Sequence, residues 1–423
     1  MKSIEELDLE NGRSVTRGTI TYLPEPEPRQ LYCPIISVDD HVLESPDLFT
    51  SRVPASMRDD VPHVENDDEG VPYWVIGSDR EPMRMATCGA VGRPMSEWSL
   101  APQKYEEFRR GVYDVDARVH DMDLNGVWAS LNFPSFLFGF AGRRLSLFDD
   151  EDVAIAITRA YNDWMINEWC GAYPNRFIPC QIPWLRDPHL AAKEIIANSQ
   201  RGFRAVSFAE NPEALGLPHI YTDYWDPFFA ACEETGTVLN LHVGSSGQVQ
   251  RPCSASPIDV GVALFPVGAI LGLVDWVFSK IPIRFPDLKI AMSEGGVSWV
   301  PMALERLARS YRQAESSLVW TRQDPDPVEI VRRNFRFTSI EDPSAFRFID
   351  LIGVDNVMLE SDYPHADSTW PDTQDILRRD LVGLDYASTR KVCFENAADL
   401  YRHPQPPDDL VTASEVGQQL RIR

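Results

Sequence analysis

No stretch of this 423-residue chain is apolar for long enough to cross a bilayer. The most apolar run, 260–274, is about fifteen residues, holds Pro266 and three glycines, and stops at Asp275. A membrane helix needs roughly twenty, so a buried helix or a subunit interface is expected there, and no membrane partner. Basic residues are scarce: 40 Lys and Arg stand against 64 Asp and Glu, a formal charge of −24. A field of that sign repels phosphate backbones and excludes nucleic acid as a partner. It attracts cations, and it obliges an anionic substrate to find a local arginine or a metal. Cys-x-x-Cys pairs are missing; the seven cysteines, at 33, 88, 170, 180, 232, 253 and 393, are scattered. With that odd count and no secretory pattern in the acidic Met1–Glu10, reduced thiols and a cytoplasmic location are expected. Nor does Gly-x-Gly-x-x-Gly follow any strand candidate, which speaks against a dinucleotide-binding open sheet.

What is present is a regular alternation of short apolar runs and helical periods. Strands are expected at 35–41, 127–133, 177–182, 205–208, 238–242, 289–293, 335–339 and 357–361, with helices between them. Helical crossovers imply a parallel sheet, and eight such units predict an α/β fold of the (β/α)8 TIM-barrel type. Residues 1–30 are polar and Pro-rich and read as an N-terminal arm. Residues 31–403 form the barrel, interrupted after strand one by an insertion at 45–112 with a hairpin around 71–81. The tail, 404–423, is expected to be an arm around a partner subunit.

In a parallel barrel the active site lies at the C-terminal strand ends. The opening strand ends Asp39-Asp40-His41, and residues two apart in a strand share a side, so Asp39 and His41 can converge on one ion. Strand five ends Asn240-Leu241-His242, strand six Ser293-Glu294-Gly295-Gly296, and strand eight Glu360-Ser361-Asp362-Tyr363-Pro364-His365. A strand-terminal Asp can cap a helix and a lone His is commonly structural; the joint placement at one end of four strands is what marks a site. Arg143, Arg144 and Arg251 are candidates to clamp a substrate carboxylate. The aromatics Phe136, Phe138, Phe140, Trp74, Trp98 and Trp370 are candidates for pocket walls.

These motifs resemble the amidohydrolase superfamily, in the branch that includes aminocarboxymuconate-semialdehyde decarboxylase and resorcylate-type decarboxylases. The likeness runs from about Ile35 to Arg402. It includes Met122-Asp123-Leu124-Asn125-Gly126-Val127 before strand two, Asn396-Ala397-Ala398-Asp399-Leu400-Tyr401 near the end, and the Ser-Asp-Tyr-Pro-His form around Asp362. The resemblance implies metal ligands at Asp39, His41, His242 and Asp362. Strand four ends Val206-Ser207-Phe208-Ala209 without the lysine that bridges two metals in binuclear relatives, so one divalent metal is expected, Zn2+ first, with Mn2+ or Fe2+ as alternatives. Glu294 stands where many relatives have a histidine; it, Asp362 and His365 are the expected catalytic residues.

Three functions fit. The first is a metal-dependent hydrolase, in which a metal-activated water attacks a small cyclic or aromatic carboxylated substrate and Glu294 moves protons. The second is a metal-dependent carboxy-lyase removing CO2 without oxidation from an aromatic or ring-derived acid, and the third a non-catalytic binding barrel. A homodimer or higher homo-oligomer is expected from the apolar 260–278 segment and from the habit of the branch.

Overall fold

The computed structural model describes residues 20–145, 148, 150–314 and 319–419. Most of the expected N-terminal arm, 1–19, and the end of the tail, 420–423, lie outside the described residues.

Eight parallel strands form the centre: β1 (Ile35–His41), β2 (Val127–Phe133), β3 (177–181), β4 (Ala205–Phe208), β5 (Val238–His242), β6 (Ile290–Ser293), β7 (Phe335–Ser339) and β8 (Val357–Leu359). β3 is two short pieces, Phe177–Ile178 paired with β2 and Cys180–Gln181 paired with β4. Pro179 separates them because it has no N–H to donate. Its carbonyl still accepts from the backbone of Arg204 and Ala205, at 3.2 and 3.3 Å. With β1 paired to β8 at Ser37 and Leu359, the strands run in chain order round a closed ring. This is the expected barrel. β1, β4, β5 and β6 are buried at every residue, as strands covered on both faces must be.

The connecting helices begin and end on local signals. Before Pro188–Arg201, the Asp187 carboxylate accepts from the backbone N–H of His189 and Leu190, and Gly202 closes the helix at φ +113°. The apolar segment expected as one helix is two, Ile258–Ala263 and Phe265–Phe278, since Pro266 suits only a first turn. The second helix buries Ala269, Leu273, Trp276 and Val277 and leaves Val267 and Leu271 exposed. No described helix is long and apolar enough to cross a membrane.

The stretch after β1 contains an antiparallel meander, His63–Asn66, Pro72–Ile76 and Asp79–Pro82. The expected hairpin is its second half. Trp74 fastens it to the barrel, packing edge-on against Phe49 and Phe138 with ring centroids 6.0 and 5.2 Å away. Phe138 and Trp74 are therefore packing residues. The described part of the tail departs from expectation: Asp408–Ala413 and Glu415–Gln419 fold back on their own chain. Glu415 and Val416 donate backbone hydrogen bonds to Leu31 and Tyr32 at 2.9 and 3.1 Å, and Val411 and Val416 are buried.

Candidate metal centre

β1 is irregular where the chemistry begins, because its pairing with β2 slips between Ser37 and Asp40. Such a bulge re-aims side chains beside active sites. The Asp40 carboxylate fills the slip. It accepts from Ser37 Oγ, Ser361 Oγ and the Tyr363 N–H at 3.0, 2.6 and 3.1 Å, and also from Ser130 Oγ. That ties β1, β2 and the end of β8 into one frame, from which Asp39 and His41 project.

Asp39, His41 and His242 offer ligand atoms within 4.8 Å of one another, and so do His41, Asp362 and His365. The Nε2 atoms of His41 and His242 are 3.3 Å apart. Asp39 Oδ1 lies 3.3 and 3.5 Å from them, and Asp362 Oδ1 lies 3.3 Å from His41 Nε2. The other ring nitrogens meet carbonyls: His41 Nδ1 is 3.2 Å from Pro134 O and His242 Nδ1 is 2.7 Å from Val243 O. Each carbonyl takes an Nδ1 proton, which leaves the Nε2 lone pairs facing inward.

This arrangement asks for a cation. The carboxylate oxygens of Asp39 and Asp362 are buried, and among the described residues the polar groups facing them are the ring nitrogens of His41, His242 and His365. Leaving buried charges unpaired costs several kcal/mol each, of order. Burial alone would lower the His41 pKa, yet hydrogen bonds and charge from Asp362 and Asp39 raise it to about 10. Against burial, His242 and His41 hold Asp39, and His365 and His41 hold Asp362, below the usual carboxylate range. Two inward nitrogens and two buried carboxylates make a donor set that fits a divalent metal.

Glu294 and Glu360 flank the cluster. Glu294 Oε2 is 3.5 Å from His242 Nδ1, and the Glu294 N–H donates to Glu360 Oε2 at 3.1 Å. Burial, reinforced by the charges of Asp39 and Asp362, pushes both carboxyls well above their ordinary range. Glu294 and Asp362 both have left-handed backbones, φ +59° and +48°. Such conformations cost about 1–3 kcal/mol in a non-glycine residue and gather at functional sites. Only the Glu294 and His365 side chains of this group reach solvent, each at 10%, against 0–1% for the four inner residues. The mouth opens on that side.

His365 Nδ1 is 2.9 Å from Asp362 Oδ1, its ring stacks on His41 at 3.9 Å, and its Nε2 has no partner. Phe140 covers the group, with centroids 4.0, 4.6 and 5.9 Å from His242, His41 and His365. Phe136 stands behind it at 6.1 Å. Other expected residues are engaged elsewhere. Arg144 pairs with Glu81 at 2.5 Å, Arg251 donates to the Ser256 carbonyl, and the Trp98 indole donates to the Arg93 carbonyl. The Trp370 indole donates to Asp121 O beneath the Arg109 guanidinium. The structure thus gives Trp370 and Arg251 partners among backbone carbonyls rather than in the metal cluster.

Three contributors were not anticipated as such. Glu360 could have been found by the same two-residue alternation that pairs it with Asp362. Asp40 sits inside the motif but faces the frame. Arg118 carried no signal at all. Fully buried, it donates from Nε to Gly111 O at 2.7 Å and from Nη2 to His41 O at 2.6 Å, and it lies 4.2 Å over the Tyr363 ring. It thereby fixes the ends of β1 and β8 together. Arg118→Met should weaken Mn2+ binding about 10–100-fold, the usual cost of losing such a support, as read by chelator competition; unaltered affinity would show that His41 is held without it.

The amidohydrolase family model matches residues 115–403. A 2-amino-3-carboxymuconate-6-semialdehyde decarboxylase of Dictyostelium discoideum is 26% identical over 266 residues, 62% of this chain and 69% of the relative. A crystal structure of an amidohydrolase from Mycobacterium avium subsp. paratuberculosis K-10 superposes with a TM-score of 0.69 at 22% identity, covering 88% of this chain and 100% of that one. A dihydroxybenzoic acid decarboxylase from Polaromonas sp. JS666, solved with manganese and the inhibitor 2-nitroresorcinol, gives 0.60 at 17% identity, over 88% and 97%. At these identities the two structures speak to fold alone. The family match spans most of the barrel, from the helix before β2 to the close of the last barrel helix, and takes in three of the four strand ends that build the cluster: the chain belongs to the amidohydrolase family.

Proposed function

We propose that this protein is a metal-dependent carboxy-lyase that removes CO2, without oxidation, from an aromatic or ring-derived acid. The observation that carries this is the charge balance of the site. Asp39 and Asp362 carry the charge that one divalent cation would balance, and beside them burial and those same charges push the Glu294 and Glu360 carboxyls upward, with Glu294 standing at the mouth. Glu294 at the mouth is placed to serve as the acid that decarboxylation needs; hydrolysis needs a base and a water. The Dictyostelium discoideum relative, a decarboxylase by name, supports the same choice.

Asp39, His41, His242 and Asp362 would hold a divalent cation, which would supply positive charge for an acidic substrate. Two hard carboxylates favour Mn2+ over the Zn2+ expected from the sequence. Glu294 donates its proton to the ring carbon that bears the carboxylate. The C–C bond then breaks, its electron pair restores the ring, and CO2 leaves. Glu294, being solvent-linked, regains a proton from water. His365 Nε2 is free to hydrogen-bond a substrate oxygen, and Phe140 keeps water from the reacting carbon. Exposed Val262, Val267 and Leu271 support self-association of the chain.

The test is product analysis with the Mn2+-loaded protein on hydroxybenzoic acids, small ring amides and lactones. At least one acid should release CO2 while the amides and lactones return unchanged; turnover of an amide or lactone alone would reverse the assignment.

A further inference from the structure

Arg143 stands three residues beyond Phe140, half-buried, and among the described residues its guanidinium has neither a hydrogen bond nor an ion pair. Two left-handed glycines make room for it. A Cβ on Gly139 (φ +69°) would stand 2.5 Å from its Cγ, and one on Gly247 (φ +74°) would stand 2.7 Å from its Nη1. Gly139 adjoins Phe140, whose ring covers the metal cluster, and Gly247 lies on the loop that leaves His242. The guanidinium therefore spans the loops after β2 and β5 at the barrel mouth.

The carboxylates whose charge it feels are already used. Glu81 pairs with Arg144. Glu210 accepts from Gly244 N, from Ser246 N and Oγ at 2.8 and 2.6 Å, and from Ser245 Oγ. Burial and the neighbouring Arg144 charge both press on the Arg143 cation. A guanidinium drawn partly out of water beside a second cation is costly until an anion completes it, and its planar fork matches a carboxylate.

We infer that Arg143 anchors a second carboxylate of the substrate, so that the acid is a ring dicarboxylate with one carboxylate at the metal cluster and the other on this guanidinium. This rests on the carboxy-lyase reading for what becomes of the first carboxylate, but the subsite itself is a matter of binding. The experiment is calorimetry on the full, Mn2+-loaded chain with benzoate and the three benzenedicarboxylates. The best-fitting dicarboxylate should bind at least tenfold more tightly than benzoate. Arg143→Met should erase that preference while benzoate binds as before, and Arg143→Lys should restore part of it. A preference that survives Arg143→Met, or a wild-type protein that binds no dicarboxylate better than benzoate, overturns the inference. Should the preference depend on Arg143 while no acid ever loses CO2, the reaction assignment fails and the subsite stands.

Discussion

Glu294→Gln should lower kcat by about two to four orders of magnitude, the usual share of a positioned acid, and leave the metal content at its wild-type value. Glutamine matches the shape and volume of the carboxylic acid, and the backbone N–H that Glu360 accepts is untouched. What is lost is the transferable proton. About 1.4 kcal/mol of barrel-mouth chemistry is removed per decade of rate, so the expected loss is of order 3–5 kcal/mol. KM should move little, because Glu294 meets His242 from outside the inner cluster, on its Nδ1 side. A variant with near-normal kcat would take Glu294 out of the proton path. One that lost metal and activity together would make it a ligand.

The second large effect concerns the metal itself. Wild-type protein should carry about one divalent ion per chain, and the double variant His41→Ala, His242→Ala less than about a tenth of that. These residues supply the two inward Nε2 atoms, and without them Asp39 and Asp362 are two buried carboxylates facing each other's charge. The variant should therefore bind protons in place of metal and lose stability at neutral pH relative to acid. Element analysis decides the metal claim, and circular dichroism confirms that the barrel persists. Undiminished metal in a folded double variant would remove the site.

The barrel was legible because its buried strands are short runs rich in apolar residues, as in Val357–Leu359, and because turn and cap residues punctuate the helices. It was not fully legible where polar strands depend on a neighbour. His63–Asn66 is half exposed and alternates too weakly to announce the first strand of the meander. The tail helices are five and six residues long, too short to show a period, and only their contact with Leu31 and Tyr32 explains them. At the site, strand alternation brought out Asp39 with His41, and the strand ends supplied His242, Glu294 and Asp362. Arg118 was invisible because its bond to the His41 carbonyl joins residues 77 positions apart. Trp370 and Arg251 adjoin site loops in the chain, yet their polar atoms meet backbone carbonyls, Trp370 that of Asp121 far off in the chain and Arg251 that of Ser256 close by. Sequence proximity to a strand end says where a backbone goes and leaves open where a long side chain turns.

The most direct measurement follows isotopes through one turnover of whichever acid the protein accepts. In D2O enriched in H2(18O), the product should carry one deuterium at the carbon that lost its carboxylate, CO2 should appear in equal amount, and no 18O should enter the ring product. Product containing 18O, formed without CO2, would mean that water attacks the substrate and that this centre is a hydrolase.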